Sequence, residues 1–384
     1  LFAEKLQTNT VVLFAFFFSM AVTSFLDTLF RRRKKKYTDS ISIFEYDFDT
    51  IRGATNEFSD LIGRSRCGSL YKGKLQSGQE IAGKVLISTP TISIIPCTRN
   101  DREFLNEINL LRKLRHKNLI HLLGFCSKKD QHFLVYEFMP NSSLDHFIFD
   151  PFRASQLSWD VRRNIVVGVA RGLHYLHEES GLQIVHLDIK PSNILLDEDF
   201  QPKITGFEVA RLIQDGQNEA KSTRLFDAAG YIDLHFHQTL RFSTITDVYT
   251  FGLEAHNKPE SNSIHSSNEE TLIQYALRCW TRGEAINMID EVMIKEERED
   301  SVSEILRYIH IALLCVDLNT RPSLDEVLHW FSYFSTPLPE PRIGDQSLVE
   351  GETIDNMSLE ERETNWLLSP SPGYGSPMSP VSPR

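Results

Sequence analysis

The spacing of apolar residues changes several times along the chain, and each change marks a boundary. Residues Thr10 to Leu26 form a run of about seventeen mostly apolar residues, which Thr28-Leu29-Phe30 extend past Asp27. At helical rise such a run just spans a bilayer core. Further on, Phe48, Ile51, Ala54, Thr55 and Phe58 share a helical face, which predicts a short helix docked on the next domain. Short runs bounded by turns come next. They predict a strand, a Gly-containing turn and a second strand over Leu61–Gly73, then strands at Glu80–Leu86, His116–Ile120 and Phe133–Met139, with one amphipathic helix at Glu103–Leu111 facing inward through Phe104, Ile108 and Leu111. Asn141 to Asp145 reads as the cap of a short helix. Beyond Leu157 the period lengthens. Ile165, Val169, Leu173 and Leu176 line one face of a helix over Leu157–Glu178, and further helices are predicted from Thr246, over Leu306–Val316 and over Ser323–Phe334. The fold class is therefore α+β: a small lobe of five strands and one helix, then a larger helical lobe.

Composition sharpens this picture at the ends. Six cations, Arg31 to Lys36, directly follow the apolar run. That order is a stop-transfer signal, and it predicts a single transmembrane helix over 10–30 with everything C-terminal to it in the cytosol, below the plasma membrane. A cleaved signal peptide would carry its basic residues before the run and a small-residue cleavage pattern after it. The basic segment 31–57 then leads to one folded domain over 58–334, and its cations suit anionic headgroups. Residues 335–384 differ in kind. Prolines at 337, 339 and 341, an acidic stretch and five Ser-Pro dipeptides (Ser369, Ser371, Ser376, Ser379, Ser382) predict a disordered tail open to proline-directed kinases, or simply a flexible terminus. The formal net charge of -11 excludes general nucleic-acid binding, which needs a basic face. Five cysteines without C-x-x-C spacing read as reduced thiols rather than as a disulfide framework or zinc site.

Candidate chemistry centres on two segments, Val185-His186-Leu187-Asp188-Ile189-Lys190-Pro191-Ser192-Asn193 and Pro202-Lys203-Ile204-Thr205-Gly206-Phe207-Glu208. The first fits the pattern H-R-D-x-K-x-x-N with Leu187 in place of Arg; the second stands where D-F-G follows that pattern. Upstream, Gly63 and Gly68 keep the outer positions of a Gly-rich hairpin whose middle position is Ser65, although a plain hairpin turn explains two glycines equally well. Lys84 lies on the third strand, and Glu107 on the helix about twenty residues later is its natural ion-pair partner. Alone, a strand lysine is usually a solvated charge.

Together these residues resemble the plant receptor-like protein kinases, nearest to the cysteine-rich receptor-like branch, over Phe44 to about Phe334. DFDTIRGATNEFSD (47–60), LVYEFMPNSSLD (134–145), ARGLHYLHEES (170–180), DIKPSNILLD (188–197) and EILRYIHIALLCV (304–316) carry the likeness. The resemblance implies a bilobal protein-kinase fold. It implies Asp188 as catalytic base, Lys190 as the lysine that neutralises the transferring phosphoryl group, and Asn193 as a metal ligand. Glu137 to Met139 would form a hinge offering backbone groups to adenine, and Asp247 would support the catalytic loop.

Four departures stand against catalysis. Gly206 supplies no carboxylate for Mg²⁺, and a side chain at Glu208 restricts the backbone flip of that segment. The A-P-E triplet becomes Asp233-Leu234-His235, which leaves Arg321 without its usual glutamate, and 253–270 is polar where the family continues a helix. Glu208, two residues from the metal position in an extended segment, is expected to point elsewhere. Three readings remain. One is a membrane-anchored pseudokinase that regulates other receptor-like or cytosolic kinases, with ATP bound weakly or without metal through Lys84. The second is a working Ser/Thr kinase using Asp188. The third is a decayed copy, with the loop residues kept only because they hold the large lobe together.

Overall fold

In the computed structural model the residues described are 43–65, 68–87, 98–128, 131–214, 216–222, 233–254, 272–289, 293–294 and 299–341. The apolar run, the basic block, Cys67, Cys97, the polar stretch from 255 and the Ser-Pro tail lie outside them. Among the described residues no helix is long and apolar enough to cross a membrane.

The small lobe is built from hairpins. Strands β2 (Leu61–Ser65), β3 (Gly68–Lys74) and β4 (Glu80–Ile87) pair antiparallel in sequence order, and β6 (Gln131–Glu137) joins β4 and β5 (Leu122–Lys128). The sheet has six strands rather than five, because β1 (Phe44–Glu45) pairs parallel with β5 at its edge. The strand expected at His116–Ile120 is also displaced. That segment is a turn, in which Leu119 makes one isolated bridge to Ile204, and the strand begins at Leu122. Burial alternates along β5 from Leu122 to Cys126, the period-2 signature of a strand with one face on the core.

Helix α1 (Phe48–Ala54) starts where the Asp47 carboxylate accepts from the Thr50 N–H at 2.8 Å, an N-cap that satisfies an orphan donor. Its Ile51 is fully buried with Ile81, Cys126, Phe133 and Val135, so the docking helix forms as expected. Helix α2 (Thr98–Leu111) packs Phe104, Ile108 and Leu111 under the sheet. In the large lobe, α3 (Trp159–His174) runs on through a π turn at Tyr175–Glu179. It packs with α5 (Thr244–Glu254), α7 (Glu299–Val316) and α8 (Leu324–Ser332), and the lobe also holds α4 (Leu234–Thr239) and α6 (Leu272–Thr281). Ser323 closes a capping box with Glu326 at the start of α8. The short helix Asp145–Ile148 has no side-chain cap; Asn141 instead reaches the Asp197 carbonyl at 2.6 Å. One core cluster runs through both lobes, from Leu86 and Leu134 to Leu313 and Phe331. The candidate site lies along its boundary.

Candidate functional site

Strand β7 (Gln183–Val185) delivers the chain into the loop His186–Asn193, and a buried carboxylate fixes that loop. The antiparallel pair β8 (Ile194–Leu196) and β9 (Pro202–Ile204) then carries it on to Gly206. Asp247, in the first turn of α5, has no exposed surface. It accepts from the backbone N–H groups of His186 at 2.7 Å and Leu187 at 2.8 Å, and from His177 Nε2 at 2.9 Å. Burying a carboxylate is costly unless donors replace water, and here three do. Leu187 takes a left-handed φ of 66° to make the bend. Its side chain joins Val185, Val209, Ile213, Phe236 and Phe242 in an apolar cluster, where the family usually has an arginine. His186 donates from Nε2 to the Thr205 carbonyl at 3.0 Å, and burial pushes its pKa down, so it is the neutral imidazole. Asp188 then stands beside Lys190 at 3.0 Å and accepts from Asn193 Nδ2 at 2.7 Å. The three residues expected to act together are together.

Opposite them, the backbone of Gly206 has φ 88°, and a Cβ there would fall 2.7 Å from the Asn193 amide. Glycine relieves both the left-handed strain and that contact. Phe207 is fully buried, edge-on to the His186 ring with centroids 4.9 Å apart. From α2, Asn106 Nδ2 donates to the carbonyls of Phe207, Glu208 and Ala210 at 3.0, 3.2 and 3.1 Å. The clamp also fixes where Glu208 points, which is not toward the metal position. The segment is not extended at Gly206, so side chains do not simply alternate, and the Glu208 carboxylate turns inward to an ion pair with Lys84. Glu107 pairs with the same ammonium at 3.4 Å, as expected.

One buried cation thus faces a buried carboxylate, Glu107, and a part-buried one, Glu208. Burial and the nearby Glu208 charge push the Glu107 carboxyl up to about 7, against the pull of Lys84. Burial also acts to raise Glu208, but the Lys84 ammonium outweighs it and holds that carboxyl below its usual range. The donor set does not suit Mg²⁺. Gly206 offers no oxygen ligand from a side chain, Glu208 is turned to Lys84, and Asp188 is committed to Lys190 and Asn193. Magnesium needs near-octahedral oxygen ligands, and among the described residues no three His, Cys, Asp or Glu side chains converge on a metal position.

At the hairpin, a Cβ on Gly68 would lie 1.9 Å from the Val85 carbonyl oxygen, so the close approach of β4 already demands glycine there; Gly63 has open space around it. In the hinge, the Glu137 N–H is bonded to the His121 carbonyl at 3.1 Å, and its carboxylate holds His121 N at 2.8 Å and Lys203 at 3.0 Å. Met139 is part-exposed, and its carbonyl accepts from Ser142 N at 3.2 Å. Arg321 is not left alone. Its Nη1 meets Asp233 Oδ2 at 2.8 Å, both side chains 4% exposed. The carboxylate has moved two positions upstream of its usual place, a compensation invisible when the triplet is compared position by position. Asn106 was missed too, because an asparagine inside a helix carries no signal until the segment it clamps is in view.

These features define a protein-kinase domain in its two-lobed form. The protein kinase domain family matches residues 57–332. The chain is 58% identical over 369 residues to Cysteine-rich receptor-like protein kinase 45 of Arabidopsis thaliana, covering 95% of this chain and 100% of that one. It is 42% identical to Cysteine-rich receptor-like protein kinase 38 of the same plant, over 79% of this chain, but spans only 46% of that longer protein. With number 44 it shares 38% identity over 84% of each. The chain belongs to the cysteine-rich receptor-like protein kinases.

Proposed function

We propose that this chain is a membrane-anchored receptor-like protein whose kinase domain is catalytically impaired and regulates other receptor-like or cytosolic kinases through its shape. The observation that carries this reading is the pair of changes at Gly206 and Glu208: the metal position has no carboxylate, and the nucleotide lysine is already engaged. Phosphoryl transfer relies on positioning and charge neutralisation around the phosphates, and both are compromised on this side of the site. The Asp233–Arg321 pair favours a maintained fold over a decayed copy. Membrane anchoring rests on the apolar run at 10–26 with its basic block, together with kinship to receptor-like proteins. ATP would engage Lys84 weakly or without metal. The Ser-Pro tail would accept phosphate from proline-directed kinases.

A second reading has one observation in its favour. Asp188, Lys190 and Asn193 are assembled on a loop anchored by Asp247, the arrangement an active Ser/Thr kinase needs to take the proton of a protein hydroxyl as the γ-phosphoryl group transfers to it. Radiolabelled ATP decides between them, using the full chain in detergent with Mg²⁺ or Mn²⁺ and a generic protein acceptor. The expected result is no transfer above the Asp188→Asn background. Recovery is expected in Gly206→Asp/Glu208→Gly, which restores the metal carboxylate and frees Lys84 together. Transfer by the native chain that vanishes in Asp188→Asn would overturn the proposal.

A further inference from the structure

Lys84 has one positive charge, and Glu107 alone is enough to balance it. The second carboxylate therefore needs a reason. Glu208 reaches the lysine from 124 residues away in sequence, and its side chain is only 13% exposed. Its presence leaves the cluster with surplus negative charge, which adds to burial in pushing up the Glu107 carboxyl. Lys84 attracts the Glu208 carboxylate, and the Asn106 clamp on the carbonyls of Phe207, Glu208 and Ala210 presents it there; Asn106 sits next to Glu107 on α2, so one helix positions both partners of the lysine.

We infer that Glu208 is a built-in occupant of the anion subsite on Lys84: its carboxylate takes the place that the phosphates of a nucleotide require, and nucleotide binds only when Glu208 swings away. A phosphate arriving while Glu208 is in place would be a third anionic group on a single buried cation, in surroundings where charges are weakly screened. Affinity is then reduced by the fraction of molecules in which the side chain is out. The inference rests on the reading of the nucleotide site proposed above and adds to it a self-closing state that needs no partner.

The test is a double-mutant cycle on the full chain in detergent, measuring the affinity for ATP by calorimetry with EDTA present. Glu208→Gln keeps the shape and removes the charge; Glu208→Gly serves if the glutamine form does not melt cooperatively. Either is expected to bind ATP about tenfold or more tightly than the native chain, the scale of one charge-assisted hydrogen bond. In a Lys84→Met background the same change should alter affinity by less than about twofold. Equal affinity of the native and Glu208 variants would overturn the inference. So would a gain that persists in Lys84→Met, because that gain would be long-range repulsion rather than occupancy. Phosphoryl transfer is a separate readout: activity of the native chain would defeat the impaired-kinase reading and leave these affinities to decide occupancy independently.

Discussion

Asp233 and Arg321 meet across 88 residues of sequence, and each does more than pair. Asp233 also caps α4 by accepting from the His235 N–H at 3.2 Å, and the guanidinium lies 5.0 Å from the centre of the Tyr249 ring. Arg321 Nε and Nη2 have no hydrogen-bond partner among the described residues, so Asp233 is the only carboxylate on this charge there. Asp233→Ala should therefore cost ~3–5 kcal/mol in urea unfolding, the usual penalty for orphaning a buried charge. Asp233→Leu with Arg321→Met should recover most of it. A single variant as stable as the native chain would mean that water reaches Arg321. Glu107 gives a prediction in pH. Its carboxyl is raised from 4.5 to about 7 in the folded chain. The stabilisation from its proton is complete below the lower value and is lost as pH rises through the upper one. Melting temperature should fall between about pH 5 and pH 7.5, and Glu107→Gln, which imitates the protonated side chain, should flatten that fall.

At the scale of elements, the edge strand β1 depends on one glycine. A Cβ on Gly124 would come within 2.3 Å of the Phe44 carbonyl oxygen and 2.4 Å of the Tyr46 ring. Only glycine lets the incoming chain lie this close to β5, where Tyr46 N then bonds the Phe125 carbonyl at 2.8 Å. Gly124→Ala should detach β1 and leave the other five strands paired. Hydrogen exchange would report it as loss of protection at Tyr46 with protection at Val135 retained, for a stability loss of about 1 kcal/mol. Unchanged exchange at Tyr46 would show that β5 can give way instead. The Leu187 cluster is the large-lobe counterpart. It joins the antiparallel pair of β7 with β10 (Arg211–Ile213) to Phe236 of α4 and to Phe242, where β11 (Ala220–Lys221) pairs with β12 (Arg241–Phe242). The segment after the catalytic loop is thus held by apolar contact, not by an arginine waiting for phosphate.

For the whole molecule, the two lobes and most of the helices were legible because period is a long-range average: Phe104, Ile108 and Leu111, or Ile165, Val169 and Leu173, report the same face repeatedly. Single turns were less so. Leu119-Ile120 looked like a strand because two adjacent apolar residues say nothing about period, and Phe44-Glu45 looked like linker because its partner lies 80 residues on. At the site, the residues that a motif fixes in order (Lys84, Glu107, Asp188, Lys190, Asn193, Asp247) lie beside the neighbours that the motif order implies. Contacts defined by shape alone carry no such signal. Glu208 turns inward because of the left-handed Gly206 and the Asn106 clamp, and Asp233 substitutes for a glutamate from another position.

The slender attachment of β1 has a mechanical consequence. The chain reaches the domain through a two-residue exposed strand, whereas β3 and β4 share seven registered residues. Tension applied from the N-terminal side is borne by β1 first, then by the Asp47-capped turn of α1, and only afterwards by the sheet. The entry point acts as a fuse, giving way under load while the lobe that carries Lys84 stays folded.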